Sequence, residues 1–243
     1  MSLGMFTAIP LPRNKWEESC VGLMIPSMPA AGAVIGLIWA GLAWVLLRAG
    51  APSAITAAAL SLAPFILTGF LHLDGYMDTC DAVLSRRPLE EKLRILKDPH
   101  TGAFAVIAVM ALFIMQYASL DAITEGIADI AAFAFIPVIS RALSAMAVLC
   151  LKPMAQSGYA RMFYEKSRTA HKIAVLVIIA ISAVSFALHS ALCGIVIFLA
   201  MTLAFILAVF PAYREFSGIS GDITGFALVI SELAGLLAWA LLQ

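Results

Sequence analysis

The chain reads as an all-α, polytopic integral membrane bundle of about seven transmembrane helices, with short interfacial helices on the cytoplasmic side. Three observations predict this fold. Of 243 residues, 63% are hydrophobic and only 12% charged, about half the charge fraction of an ordinary soluble domain. Long apolar runs recur along the chain, and about 18 such residues suffice to cross a hydrocarbon core. Basic residues gather in alternate connections, the pattern that sets the orientation of multi-pass proteins.

The elements follow in order within a single transmembrane domain, 1–243. Spans are expected near 30–48, 53–73, 102–120, 127–151, 172–188, 191–210 and 224–242. The tight connection at His189-Ser190 also leaves room for a re-entrant hairpin. Met1 to Pro12 holds two prolines and has no basic region before its apolar part, so no secretory signal is expected there. Arg13 and Lys15 precede the first span, and Arg86, Arg87, Lys92, Arg94 and Lys97 separate the second from the third. Lys152, Arg161, Lys166, Arg168 and Lys172 separate the fourth from the fifth, and Arg214 lies between the sixth and seventh. The other connections carry Arg48 with Asp121, Glu125 and Asp129. The N-terminus and the basic connections are therefore expected in the cytoplasm. Within them, Leu89, Leu93 and Leu96 recur at helical spacing and predict a short surface helix over 88–97. Tyr159, Phe163 and Tyr164 among basic residues suit a headgroup-level segment in contact with membrane lipids.

A net charge of zero argues against a nucleic-acid partner. Cys20, Cys80, Cys150 and Cys193 show no CxxC pairing, so neither a zinc site nor a disulfide framework is indicated.

The chemistry concentrates where the second apolar run ends. Asp74, Asp78 and Asp81 are spaced by four and three residues. On a continuous helix their carboxylates fall within roughly 60° of one another. Such a strip at a membrane boundary is costly unless a cation neutralises it. Carboxylate oxygens suit Mg²⁺ or Mn²⁺, which keep waters or bind substrate phosphates as well. The plainer reading is a helix cap or ordinary juxtamembrane charge. His72, one turn earlier, is a candidate general base or carboxylate partner, or simply an amphipathic boundary residue. Lys97 and Asp98 open a turn through Pro99 and Gly102. Lys97 can meet a phosphate and Asp98 can add a metal ligand, although a helix end followed by a cap reads the same way. Ser217 to Gly225 holds three glycines around Asp222, a backbone able to cradle an anion or to cap the last helix. Arg141 and Glu232 fall inside spans, where charges pair or line a polar cavity. They are expected to pair with each other, or Arg141 receives a phosphate.

Taken together these segments resemble cobalamin synthase, the adenosylcobinamide-GDP ribazoletransferase family. The matching pieces are Phe6-Thr7-Ala8-Ile9-Pro10-Leu11-Pro12, His72-Leu73-Asp74-Gly75-Tyr76-Met77-Asp78-Thr79-Cys80-Asp81, Ser85-Arg86-Arg87, Glu91-Lys92, and Lys97-Asp98 through Gly102-Ala103-Phe104. Two departures stand out. Cys80 occupies a position where alanine is expected, and Pro99-His100 replaces Ser-Arg, leaving His100 to stand in for a basic contact. The resemblance implies transfer of adenosylcobinamide phosphate from its GDP-activated form to α-ribazole or its 5′-phosphate, with release of GMP and a requirement for Mg²⁺. It implies Asp74, Asp78, Asp81 and Asp98 as metal ligands, and Asp81, His72 and Lys97 as catalytic groups. Lys97, Arg86, Arg87 and Arg141 are candidates to hold the phosphates, and Asp222 is expected near the metal as a binding residue. It also implies a multi-pass protein of a bacterial or archaeal cell (inner) membrane with its site facing the cytoplasm, and is compatible with an oligomer.

Two other readings fit parts of the pattern. A CDP-alcohol-type phosphotransferase acting on lipid headgroups shares the metal logic, though its motif order differs. An ion-coupled transporter would use the intramembrane charges, but no paired broken segments mark a midplane site.

Overall fold

The computed structural model describes residues 1–10, 17–126 and 130–243. Eleven α-helices occur among them. They are α1 (Ser2–Phe6), α2 (Val21–Met24), α3 (Met28–Arg48), α4 (Ser53–Leu67), α5 (Leu71–Leu84), α6 (Leu89–Ile95), α7 (Ala103–Gly126), α8 (Ala131–Cys150), α9 (Gly158–Glu165), α10 (Thr169–Glu215) and α11 (Gly221–Ala240). No strand is present among the described residues.

By length and apolarity five of these helices can cross a membrane, or six if α4 and α5 form one broken span. The expected count of about seven is not reached by length and apolarity, which take residues 172–188 and 191–210 together as one helical run, α10. That run is interrupted at Ser190 and Ala191, whose backbone is not helical. Gly194 then lies so close to Phe186 that an added Cβ would stand 2.4 Å from its carbonyl oxygen. Residues eight apart on a straight helix are separated by about 12 Å, so α10 doubles back on itself. The expected tight connection at His189-Ser190 is this reversal. Expected residues 127–129 lie outside the described residues, and α8 begins at Ala131.

The expected span 53–73 is also modified. Helix α4 ends at Leu67, and the chain bends by 93° into α5. Gly69 (φ 59°) and Phe70 (φ 62°) are both left-handed. The Phe70 N–H donates to the Phe65 carbonyl at 2.8 Å, the six-to-one bond of a glycine-terminated helix. The Thr68 hydroxyl occupies the Pro64 carbonyl at 2.9 Å. The acidic strip therefore opens a new helix instead of continuing the old one.

Small residues bring the bundle together. Gly32 and Gly36 of α3 face α8, where a Cβ would meet the Pro137 and Ala134 carbonyls at 2.4 and 2.6 Å. Close backbone approach through small residues replaces the hydrophobic drive that lipid removes. One turn on, Trp39 is fully buried. It donates its indole N–H to the Leu60 carbonyl at 2.9 Å and packs 4.8 Å from Phe133. At the opposite end, the longer connections are tied to one another. Lys92 of α6 pairs with Glu215, Lys166 donates to the Glu18 carbonyl, and Pro153 pairs with Ile219 in an isolated parallel bridge.

Gly36→Ala is expected to cost about 1–3 kcal/mol by overpacking and to lower the Tm of the detergent-solubilised protein. Gly41→Ala, on the same helix with no neighbouring atom within 4 Å, is expected to leave Tm unchanged or raise it slightly. Scanning fluorimetry of the pair distinguishes close packing from helix propensity.

Candidate active site

Helix α5 presents its carboxylates because its other face is anchored. Leu73, Tyr76 and Cys80 are buried, Asp74 is exposed, and Asp78 and Asp81 are half-buried. The Tyr76 hydroxyl donates to the Ala108 carbonyl of α7 at 3.1 Å, and its ring stacks on Phe226 of α11 at 5.9 Å. Gly75 brings α5 onto α11 so closely that a Cβ would stand 2.7 Å from the Asp222 Cα. This approach places Asp222 in the strip. The charges of Asp74, Asp222 and Asp81 all act on Asp78.

Each carboxylate has its own fixing. Ser220 caps α11 by accepting from the Ile223 N–H at 3.2 Å, and its hydroxyl donates to Asp222 Oδ2 at 3.4 Å. Asp81 lies against Gly102, with Oδ2 2.0 Å from where a Cβ would sit. It accepts from the Ala105 N–H at 3.4 Å, so it sits at the start of α7, where a negative charge is favoured. Asp98 stands apart, exposed in the preceding turn. It accepts from the His100 N–H at 2.9 Å and meets the His100 ring at 2.7 Å. The His100 backbone N–H, and then its ring, hold the Asp98 carboxyl below the usual carboxylate range.

The four clustered aspartates offer only hard oxygen donors. No basic side chain among the described residues is ion-paired to any of them. No three Asp, Glu, His or Cys side chains among the described residues stand close enough to hold an ion alone. Hard oxygen donors in general suit a cation such as Mg²⁺, which takes one or two carboxylates and completes its shell with water and substrate phosphates.

Beside the strip lies a cavity of about 460 Å³. His72, Lys97 and Asp222 line it together with Phe6, Ser144, Val148, Tyr159 and Phe163. Three of the expected site residues thus share one space. Arg86 and Arg87 are exposed just past the end of α5, and Arg87 pairs with Glu91 at 3.1 Å. Arg141 is 1% exposed and pairs with Glu232. The Ser140 hydroxyl links them, accepting from Arg141 at 3.0 Å and donating to Glu232 at 2.7 Å. The pairing alternative is the one the structure holds. Sequence reasoning missed Ser144 and the aromatic walls. The one available signal was the polar spacing Ser140-Arg141-Ser144 on an apolar helix.

A profile of the cobalamin-5-phosphate synthase family matches residues 1–240. The chain belongs to that family. Similar cobalamin-5-phosphate synthase family members include a protein of Clostridium botulinum (strain Alaska E43 / Type E3), 39% identical over 97% of this chain and 94% of its own length. One of Clostridium perfringens (strain SM101 / Type A) is 36% identical over 98% and 94%. Another, of Clostridium botulinum (strain Eklund 17B / Type B), is 40% identical over 97% and 94%. All three are named adenosylcobinamide-GDP ribazoletransferase. No solved structure matches the chain.

In this family member, Arg141→Ala or Glu232→Ala leaves one charge buried alone and is expected to cost about 3–5 kcal/mol. The double change to Met at both positions is expected to recover most of that loss. Tm values of the three solubilised variants check the coupling.

Proposed function

We propose that this chain is a membrane transferase that joins adenosylcobinamide-GDP to α-ribazole, or its 5′-phosphate, and releases GMP. The convergence of Asp74, Asp78 and Asp81 with Asp222 from α11, in a family whose relatives carry that name, supports the reading. In the reaction a ribazole hydroxyl oxygen bonds to the corrinoid-side phosphorus. The bond from that phosphorus to the bridging oxygen of GMP breaks, and the hydroxyl proton passes to a base. Such transfers depend on positioning and on offsetting phosphate charge more than on covalent help.

Residues of this chain divide those tasks. His72 lines the cavity with its Nε2 unpartnered, and it or one of the carboxylates would accept the proton. Lys97 on the same cavity meets the pyrophosphate as a point charge, with Arg86 and Arg87 nearby in the chain. One or two of Asp74, Asp78 and Asp222 would hold Mg²⁺, with Asp81 positioned beside them by α7. When bound, that ion would neutralise charge on the phosphates and favour departure of GMP. The site is assigned to the cytoplasmic face of a bacterial or archaeal inner membrane, on the charge asymmetry of the connections.

Asp78→Asn and Asp222→Asn are expected to lower GMP release by about 100-fold or more, with Tm retained. Asp98→Asn, engaged with His100, is expected to lose far less. Chelation should abolish turnover and added Mg²⁺ should restore it. Full turnover by a well-folded Asp78→Asn protein, or by the chelated enzyme, overturns the metal assignment.

A further inference from the structure

The cavity beside the strip has chemistry that the transfer step does not use. Its inner wall is apolar, formed by Phe6 and by Val148 and Phe163 from α8 and α9. Ser220 and Thr224 also line it, but their hydroxyls are engaged with the backbone of α11 and its cap. Among the described lining residues, only Ser144 Oγ and His72 Nε2 are buried polar atoms with no partner. A helical serine ordinarily returns its hydroxyl to a carbonyl one turn back, so Ser144 is held unengaged. Leaving such an atom buried and unpaired is unfavourable, and a ligand atom would remove that cost.

Volume and polarity select the occupant. At about 460 Å³ the space lies within the range of small-ligand sites, and a corrin ring with its amide arms is several times too large. A guanine edge carries three polar groups, and the wall of Phe6, Val148 and Phe163 can satisfy none of them. Lys97 and Asp222 also line the space but are assigned to the phosphates and the metal, and Gln156 is exposed. A fused benzimidazole-type ring is largely apolar and leaves one ring nitrogen to be met. We propose that this cavity seats the base of the ribazole nucleoside. Ser144 Oγ meets its ring nitrogen, and His72 Nε2 faces the attacking ribose hydroxyl. Tyr159, 64% exposed, lines the same space. The proposal rests on the transferase reading given above, and it assigns the corrinoid and its GDP to the open side of the strip.

The test uses the full chain in nanodiscs, with α-ribazole titrated calorimetrically in the absence of corrinoid and metal. KM for each substrate is then measured by GMP release. Ser144→Ala is expected to weaken α-ribazole binding and to raise its KM roughly fivefold, the loss of one net hydrogen bond. KM for adenosylcobinamide-GDP should stay unchanged. Tyr159→Ala, a change at an exposed position that folding tolerates, should shift the same two quantities in the same direction. Unchanged α-ribazole affinity in both variants, or a rise confined to the corrinoid KM, overturns the assignment while leaving the transferase reading intact. Wild-type protein that binds α-ribazole yet releases no GMP would overturn the reaction and not the cavity.

Discussion

The backbone contact between Gly75 and Asp222 is the constraint on which the site depends. Three aspartates on one helix make a charged stripe, but a stripe alone has no opposite wall. Only a residue without a side chain lets α5 approach α11 closely enough for Asp222 to enter the group. Gly225 extends the same seam, with its Cβ position 3.2 Å from the His72 carbonyl. Tyr76 then fixes the rotation of α5 about its axis through a hydrogen bond on one side and a stacked ring on the other. Mutual repulsion among the carboxylates opposes this arrangement. The packing on the opposite face of α5 is what holds it.

Polar groups elsewhere in the bundle follow a consistent division. Arg141, Ser140 and Glu232 pair with one another in the interior, as charges at membrane depth do, leaving Arg141 Nε alone without a partner in the trio. Lys92 and Glu215 do the same at the end of α10. Charge neutralised in this way is structural, whereas the four aspartates of the strip have no cationic partner among the described residues. The distinction separates Arg141 from the phosphate-holding groups and Asp98 from the clustered carboxylates.

Much of this was legible in the sequence, for identifiable reasons. Hydropathy and the basic connections reveal spans because lipid penalises every exposed polar group. The four-and-three spacing reveals the strip because a helix has a fixed period. The pairing of Arg141 with Glu232 followed from the cost of lone charges in lipid. The bend at Thr68-Gly69-Phe70 was hidden inside an apolar run. Its glycine was a weak signal, and a left-handed phenylalanine is not a residue type that announces a turn. The cavity was hidden for a different cause. Phe6, Ser144 and Phe163 are distant along the chain, and no local pattern records that three segments will meet.

The reversal within α10 has a wider consequence. At Ser190 and Ala191 the chain turns without a loop, and the 49–52 connection between α3 and α4 is almost as short. At the other end α6, α9, the 216–220 segment and the residues before α2 are joined by ion pairs and backbone hydrogen bonds. Among the described residues these two connections add little material beyond the helices at one end, and the longer segments gather at the end that carries the carboxylates. On the proposed reading the transfer draws on that end alone, and the membrane serves it as a platform.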